Sequence, residues 1–385
     1  MNALKLILTR LRYFAPAWVF ASLNIMTGTW VLYIPEIKNK LAIDDGQLGI
    51  ALFCFALGTL TLIPFASRII SKAGVGRATA VGVVFYALIF LLPVLANNYF
   101  LLCVSLFLTG GASGFTDIAM NALVSDIEQE DEVSFMSASH GFFSLGGVLG
   151  AGIGSLLILN FRIPFIHMLY AAIFVVLTNL LVCKAYIKIR SREVEREKNP
   201  FQFKLLRPLV GLMIIALIIM GSEGAIEHWS KLYLLDIVQV SSEKTAGFGF
   251  VAFSATMTTG RFLGDMVSKN YGAFKIIIAG CLIAMLGYGF VLTEALYFSL
   301  FGFGMVGLGF SVIIPELFRL AGKTDGVSSS EGISFVAGFG YIGFLSGPVI
   351  LGFLSELSSL RLSFSALLVA AAIAMITTFM IRKRK

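Results

Sequence analysis

"KIRSREVEREKNPFQFK", residues 188–204, is the longest polar run in the chain, and nearly everything on either side of it is apolar. Charged residues make up 13% of the 385, hydrophobic ones 58%, and the mean hydropathy is +0.90. A water-soluble domain carries about 25% charged residues, so the solvent of this chain is lipid. A helical span needs about 20 apolar residues. On that scale six spans precede the polar run, at 12–34, 47–70, 78–96, 99–125, 135–158 and 165–187. Six more follow, at 206–230, 244–266, 273–292, 297–321, 331–354 and 363–381. The expected fold class is therefore an all-α membrane protein of twelve helices. Its domains are an N-terminal six-helix half (1–187), a cytoplasmic linker (188–205) and a C-terminal half (206–385).

The first span opens as "MNALKLILTRLRYFAPAWVFASLN", basic and then apolar like a secretory signal. Its apolar run is too long for one and many similar runs follow, so it reads as a retained span. Cytoplasmic loops of a bilayer protein collect Lys and Arg. With the N-terminus inside, only Lys38, Lys40, Arg162, Lys231, Lys244 and Arg361 of the 29 Lys and Arg fall outside. Both termini are thus expected in the cytoplasm. The net charge of +7 comes from short basic clusters between apolar runs, a pattern of membrane topology that gives no nucleic-acid surface. Cys54, Cys103, Cys183 and Cys281 lie inside apolar runs without metal-ligand spacing, and read as small buried hydrophobes. No HExxH, GxSxG or phosphate loop occurs, so neither an enzyme nor a cofactor or metal site is expected.

The two halves look alike at corresponding places. "ASRIISKAGVGRATAVGVV" (66–84) follows the second span and "GRFLGDMVSKNYGAFKIIIAG" (260–280) the eighth, each a basic turn with glycine. This layout resembles the major facilitator superfamily along the whole chain. That family's glycine-rich basic loop is matched in part by Lys72, Gly74, Gly76 and Arg77, with Ser71 where its aspartate is expected. Gly260, Arg261, Gly264 and Asp265 match it better.

Small residues four apart, Gly146, Gly150 and Gly154 in the fifth span and Gly343 and Gly347 in the eleventh, let helix backbones touch. "GFLSGPVILG" (343–352) looks like a glycine-proline motif of antiporters, although that motif belongs to a fifth span and the fifth span here has no proline.

Ionisable groups inside spans narrow the function. An Asp at the centre of a membrane helix costs roughly 2.5–3.5 kcal/mol on insertion scales, and such residues carry protons or face a cavity. "TGGASGFTDIAMNAL" (109–123) places Asp117 mid-span with Asn121 on the same helix face, and Asp117 is the expected proton-coupling acid. Substrate-binding groups are expected at Asn24, Thr27 and Trp30 on the first span, Asn121 on the fourth, and His140 on the fifth. Glu223 and Trp229 on the seventh complete that set, Trp229 as a platform for a sugar ring or else as an interfacial belt residue; Glu227 and His228 read as solvated at the outer interface. Arg68, Lys72, Arg77, Arg261, Asp265, Glu316 and Arg319 lie near cytoplasmic ends as gating or structural ion pairs. Asp126, Glu128, Glu130, Asp131 and Glu132 read either as partners of the second-to-third loop or as a solvated charged face.

"TDIAMNALVSDIE" (116–128), "FMSASHGFFSLGGVLGA" (135–151), "EGAIEHWSKLYL" (223–234) and "TTGRFLGD" (258–265) together resemble a bacterial facilitator subgroup related to MosC. The likeness extends, more distantly, to the fucose:proton symporters, where an acid four residues before an Asn on the fourth helix carries the coupling proton. Asp117 and Asn121 match that spacing; the symporters' first-helix acid has no counterpart, Asn24 being the nearest polar residue. The resemblance implies a monomeric secondary transporter, coupled to protons, that moves a small sugar- or polyol-like solute. The alternative is a drug or metabolite efflux antiporter.

Overall fold

The computed structural model describes residues 3–133, 135–161, 163–190, 207–324 and 329–382, and every regular element in it is helical. A backbone in lipid must satisfy its own hydrogen bonds, and helices do so within each span. The elements are α1 (Ala3–Thr9), α2 (Leu11–Val31), α3 (Ile34–Leu41), α4 (Asp45–Ala73), α5 (Val75–Ile89), α6 (Leu92–Leu95), α7 (Tyr99–Asp131), α8 (Met136–Leu157) and α9 (Pro164–Val182). After the linker come α10 (Val210–Asp236), α11 (Glu243–Ala246), α12 (Phe248–Tyr271), α13 (Ala273–Val291), α14 (Leu296–Phe310), α15 (Ile313–Ala321), α16 (Ser329–Leu357) and α17 (Leu360–Arg382). Among the described residues ten stretches are long and apolar enough to span a membrane, and the pair α2–α3, bent by 45°, makes another. The remaining span is α12, whose Arg261 and Asp265 lower its hydropathy. The first span breaks at Leu32–Tyr33, where Pro35 sits in the first turn of α3, a position that needs no amide donor. Ahead of it α1 is a separate short helix packed on α2.

The chain divides into two compact units. The first is Met1–Val194 with Ser242–Val251, and the second is Glu195–Ser241 with Ala252–Lys385. The boundary expected in the linker is therefore supplemented by a short segment around α11, which packs on α8. Most of the linker lies outside the described residues, as do Arg162 and the last three residues of the basic tail.

Within each unit the same pairing recurs. In the first, α2 lies along α8, and a Cβ at Gly146 or Gly150 would overlap the Ala21 or Ile25 carbonyl. In the second, α10 lies along α16, and a Cβ at Gly343 or Gly347 would overlap the Leu217 or Gly221 carbonyl. In both cases two glycines one turn apart sit on two carbonyls one turn apart, so first pairs with fifth as seventh pairs with eleventh. The absence of side chains brings the backbones into van der Waals contact, which drives helix association where water supplies no hydrophobic force.

Candidate functional site

In the first unit the centre of the site is α7. Its amino end is capped by Asn98, whose Oδ1 accepts from the Leu101 amide at 2.9 Å. Gly110 and Gly114 seat it on α4, where added methyls would meet Phe55 and Thr59. Asp117 follows on the same helix. The Asn121 amide donates to the Asp117 backbone oxygen at 2.8 Å and to its carboxylate Oδ1 at 3.2 Å. Among the described residues no cation stands within ion-pair distance of Asp117. The carboxylate is thus held in one orientation by Asn121 with its charge left uncompensated.

Other expected groups of this unit have different settings. Asn24 is buried between α2 and α8, where its Nδ2 donates to the Phe143 carbonyl at 3.0 Å while its Oδ1 has no partner. Thr27 exchanges a 3.0 Å hydrogen bond with the Tyr86 hydroxyl of α5, a partner the sequence did not announce. His140 is exposed on α8, its ring edge-on to Phe20 at 5.0 Å between centroids. Trp30 is 2% exposed and packed against Phe90.

In the second unit α10 carries the charged groups inward. Glu223 receives the Arg261 guanidinium of α12 at 3.3 Å, and the two side chains are 12% and 16% exposed. Arg261 thus reaches the seventh span; the side chain of Asp265, its expected partner, lies outside the described residues. The second Glu223 oxygen is buried without a hydrogen-bond partner, as is the Tyr288 hydroxyl. Glu227, expected to be solvated, is 6% exposed. Trp229 is fully buried and its indole donates to the Pro348 carbonyl at 2.9 Å, a contact that fastens α10 to α16. His228 donates through Nδ1 to the Gly224 carbonyl at 2.8 Å, a bond inside its own helix.

Of the expected ion pairs, Glu316 and Arg319 meet at 3.0 Å on α15. Lys72 and Arg77 are exposed, with no ion-pair partner among the described residues, and the side chain of Arg68 lies outside them. Three of the acids at the end of α7 are engaged by other groups. Arg12 at the start of α2 holds Glu130 at 2.8 Å and Asp131 at 2.7 Å. Glu128 caps the start of α8 through the Phe135 and Met136 amides. The turn at Gly74 and Gly76 docks on the backbone after α9 instead, the Gly76 amide donating to Ile189 at 3.0 Å.

The spans, the repeated pairing and the intramembrane acids describe a carrier scaffold, and a family model described as the Major Facilitator Superfamily matches residues 17–327. The chain belongs to that superfamily. It is a multi-pass membrane transporter, and the family's members are transporters, not enzymes. The transporter is 28% identical to the membrane protein MosC of Rhizobium meliloti over 357 residues, 89% of this chain and 83% of MosC. A glucose/galactose transporter of Brucella abortus is 22% identical, over 86% of this chain and 85% of its own. The multidrug resistance protein 1 of Bacillus subtilis is 23% identical, with 86% of each chain covered. Among solved structures, the E. coli fucose:proton symporter FucP matches with a TM-score of 0.66 at 18% identity, over 97% of this chain and 99% of that one. That likeness carries the twelve-helix fold of the transporter.

Proposed function

We propose that this transporter is proton-coupled and moves a small polar solute of sugar or polyol kind by alternating access, with Asp117 as the coupling acid. The observation that supports the reading best is Asp117 itself: a carboxylate inside the apolar part of the 33-residue α7, hydrogen-bonded by Asn121 and, among the described residues, without a cation. A charge in that position is expensive, and acids kept there in carriers relay protons. Binding a proton removes the charge, and the removal biases whichever conformation shelters Asp117 from water. To shift the two states from mostly one to mostly the other takes about 5.5 kcal/mol of differential affinity.

Asn24, Asn121 and His140 are the polar groups of the first unit proposed to meet the solute, and Glu223 with Arg261 those of the second. Neutral donors and acceptors with few net charges suit hydroxyl groups. The working form is proposed to be a monomer in a bacterial inner membrane, with the termini in the cytoplasm on the strength of the Lys/Arg distribution. Purified transporter in proteoliposomes under an imposed pH gradient tests the reading, with sugars, inositols and cationic drugs as solutes. Gradient-driven accumulation of a sugar or inositol is the expected result. Expulsion of cationic drugs with no sugar uptake would replace it with the efflux reading.

A further inference from the structure

We propose that Cys54 and Cys103 form a dithiol site, between α4 and α7 of the first unit, that binds a neutral trivalent arsenical. The two helices set the pair. As second and fourth spans they run in the same direction, and a Cβ at Gly58 of α4 would overlap the Phe107 carbonyl of α7. Cys54 lies one turn before Gly58 and Cys103 one turn before Phe107, the separation at which side chains share a helix face. One turn earlier again on α7, the Tyr99 hydroxyl donates to the Gln47 carbonyl of α4 at 3.0 Å. The close approach therefore continues through the level of the cysteines. There the Cys54 and Cys103 thiols engage each other, and the Tyr99 hydroxyl engages Cys103. Both thiols are free and only half-buried. The other two cysteines stand apart: Cys183 is buried and turned to the Leu180 carbonyl, and Cys281 is buried on α13 of the second unit.

The donor set selects the ligand. Among the described residues no third His, Cys, Asp or Glu joins the two thiols, so the tetrahedral shell of a structural zinc has too few ligands here. Sulfur donors select soft centres, and two of them suit one that forms two sulfur bonds. The side chains flanking the pair, Phe53 and Leu57 on α4 and Leu101 and Val104 on α7, are exposed and apolar. A charged ion approaching over them would shed its water at a high cost. A neutral trivalent arsenical, R–As=O, meets both conditions. Each thiol sulfur forms a bond to arsenic as an arsenic–oxygen bond breaks, and the oxygen leaves as water with the two thiol protons. Arsenic stays trivalent, so the step consumes neither oxidant nor reductant. The product ties α4 to α7 one turn from the Gly58 contact.

The test is intact-protein mass spectrometry of the full-length purified transporter in lipid, after exposure to phenylarsine oxide and a wash with excess monothiol. Arsenic held by two thiols survives that wash, because the second bond is intramolecular, whereas arsenic held by one does not. The wild type is expected to retain one phenylarsenic group and, once denatured, to offer two of its four thiols to a maleimide. A small dithiol, 2,3-dimercaptopropanol, is expected to strip the arsenic and restore all four. Cys54→Ser and Cys103→Ser are each expected to retain none, as are Cys54→Ala and Cys103→Ala, while Cys183→Ser and Cys281→Ser retain one. Retention by either Cys54→Ser or Cys103→Ser, or no retention by the wild type, overturns the proposal. Loss of two wild-type thiols with no added arsenic mass reports a disulfide and overturns it equally. Asp117→Asn is expected to retain the group as the wild type does, so this site and the coupling acid fail or stand separately.

Discussion

Arg261→Gln removes the cation from Glu223 and leaves a carboxylate stranded inside the second unit. At 3.3 Å and an effective dielectric constant of about 20, the gross attraction of the pair is about 5 kcal/mol. Desolvation offsets part of this gain, and both side chains keep a little exposure. Breaking a buried pair from one side nevertheless costs about 3–5 kcal/mol, because the remaining charge is left uncompensated. The expected loss of unfolding free energy for Arg261→Gln is therefore about 3 kcal/mol, near the lower end of that range. Arg261→Gln combined with Glu223→Gln removes both charges and is expected to recover about 2 kcal/mol of it as coupling energy. Unfolding of the purified transporter by titration into a denaturing detergent, followed by tryptophan fluorescence across the double-mutant cycle, measures that coupling. A coupling under about 0.5 kcal/mol would show that the two side chains act independently and refute the pairing.

Other consequences are open to simpler measurements. Gly347→Ala places a methyl on the Gly221 carbonyl and is expected to destabilise by about 1–3 kcal/mol. Gly338→Ala on the same helix meets nothing within 4 Å and is expected to be neutral or stabilising by up to about 1 kcal/mol, so a comparison of melting temperatures separates packing from propensity. Trp229→Phe removes the indole hydrogen bond to the Pro348 carbonyl, which keeps its partner within α16, and should cost about 0.5–1.5 kcal/mol of stability while solute affinity stays the same; an affinity loss without a stability loss would return Trp229 to the binding site. Arg12→Ala should lower stability by no more than about 1 kcal/mol, with the difference shrinking as salt is added, since Arg12 and its acids are partly exposed.

The sequence made the spans legible because each is a continuous apolar run, and the polar run at 188–204 marked the midpoint of the fold. Gly146, Gly150, Gly343 and Gly347 were legible as packing residues because small side chains at four-residue spacing have one physical use in lipid. Asp117 and Asn121 were legible as a pair because the helix period alone brings them together. What hydropathy does not encode is how each helix is rotated about its axis. Arg261 and Glu223 are 38 residues apart and meet only because α10 and α12 turn those faces toward each other. The same loss of rotational information hid Arg12 from Glu130 and Asp131. The inward settings of Glu227 and Trp229 were hidden for a second reason. Counting residues along a span put them at its outer end, where an acid is hydrated and an indole sits in the interfacial belt. In the fold α10 continues to Asp236, and both side chains turn inward. Pro35 in α3 shows the reverse case, a local signal that marks a break inside an otherwise even apolar run.

The central claim is that Asp117 carries the coupling proton, and the most direct measurement is solute transport by Asp117→Asn in proteoliposomes. The substitution keeps the shape and a hydrogen-bonding group for Asn121 while removing the titrating proton. The account predicts that uphill accumulation driven by a pH gradient is abolished while downhill exchange of the same solute persists. Accumulation at the wild-type level in Asp117→Asn would contradict it.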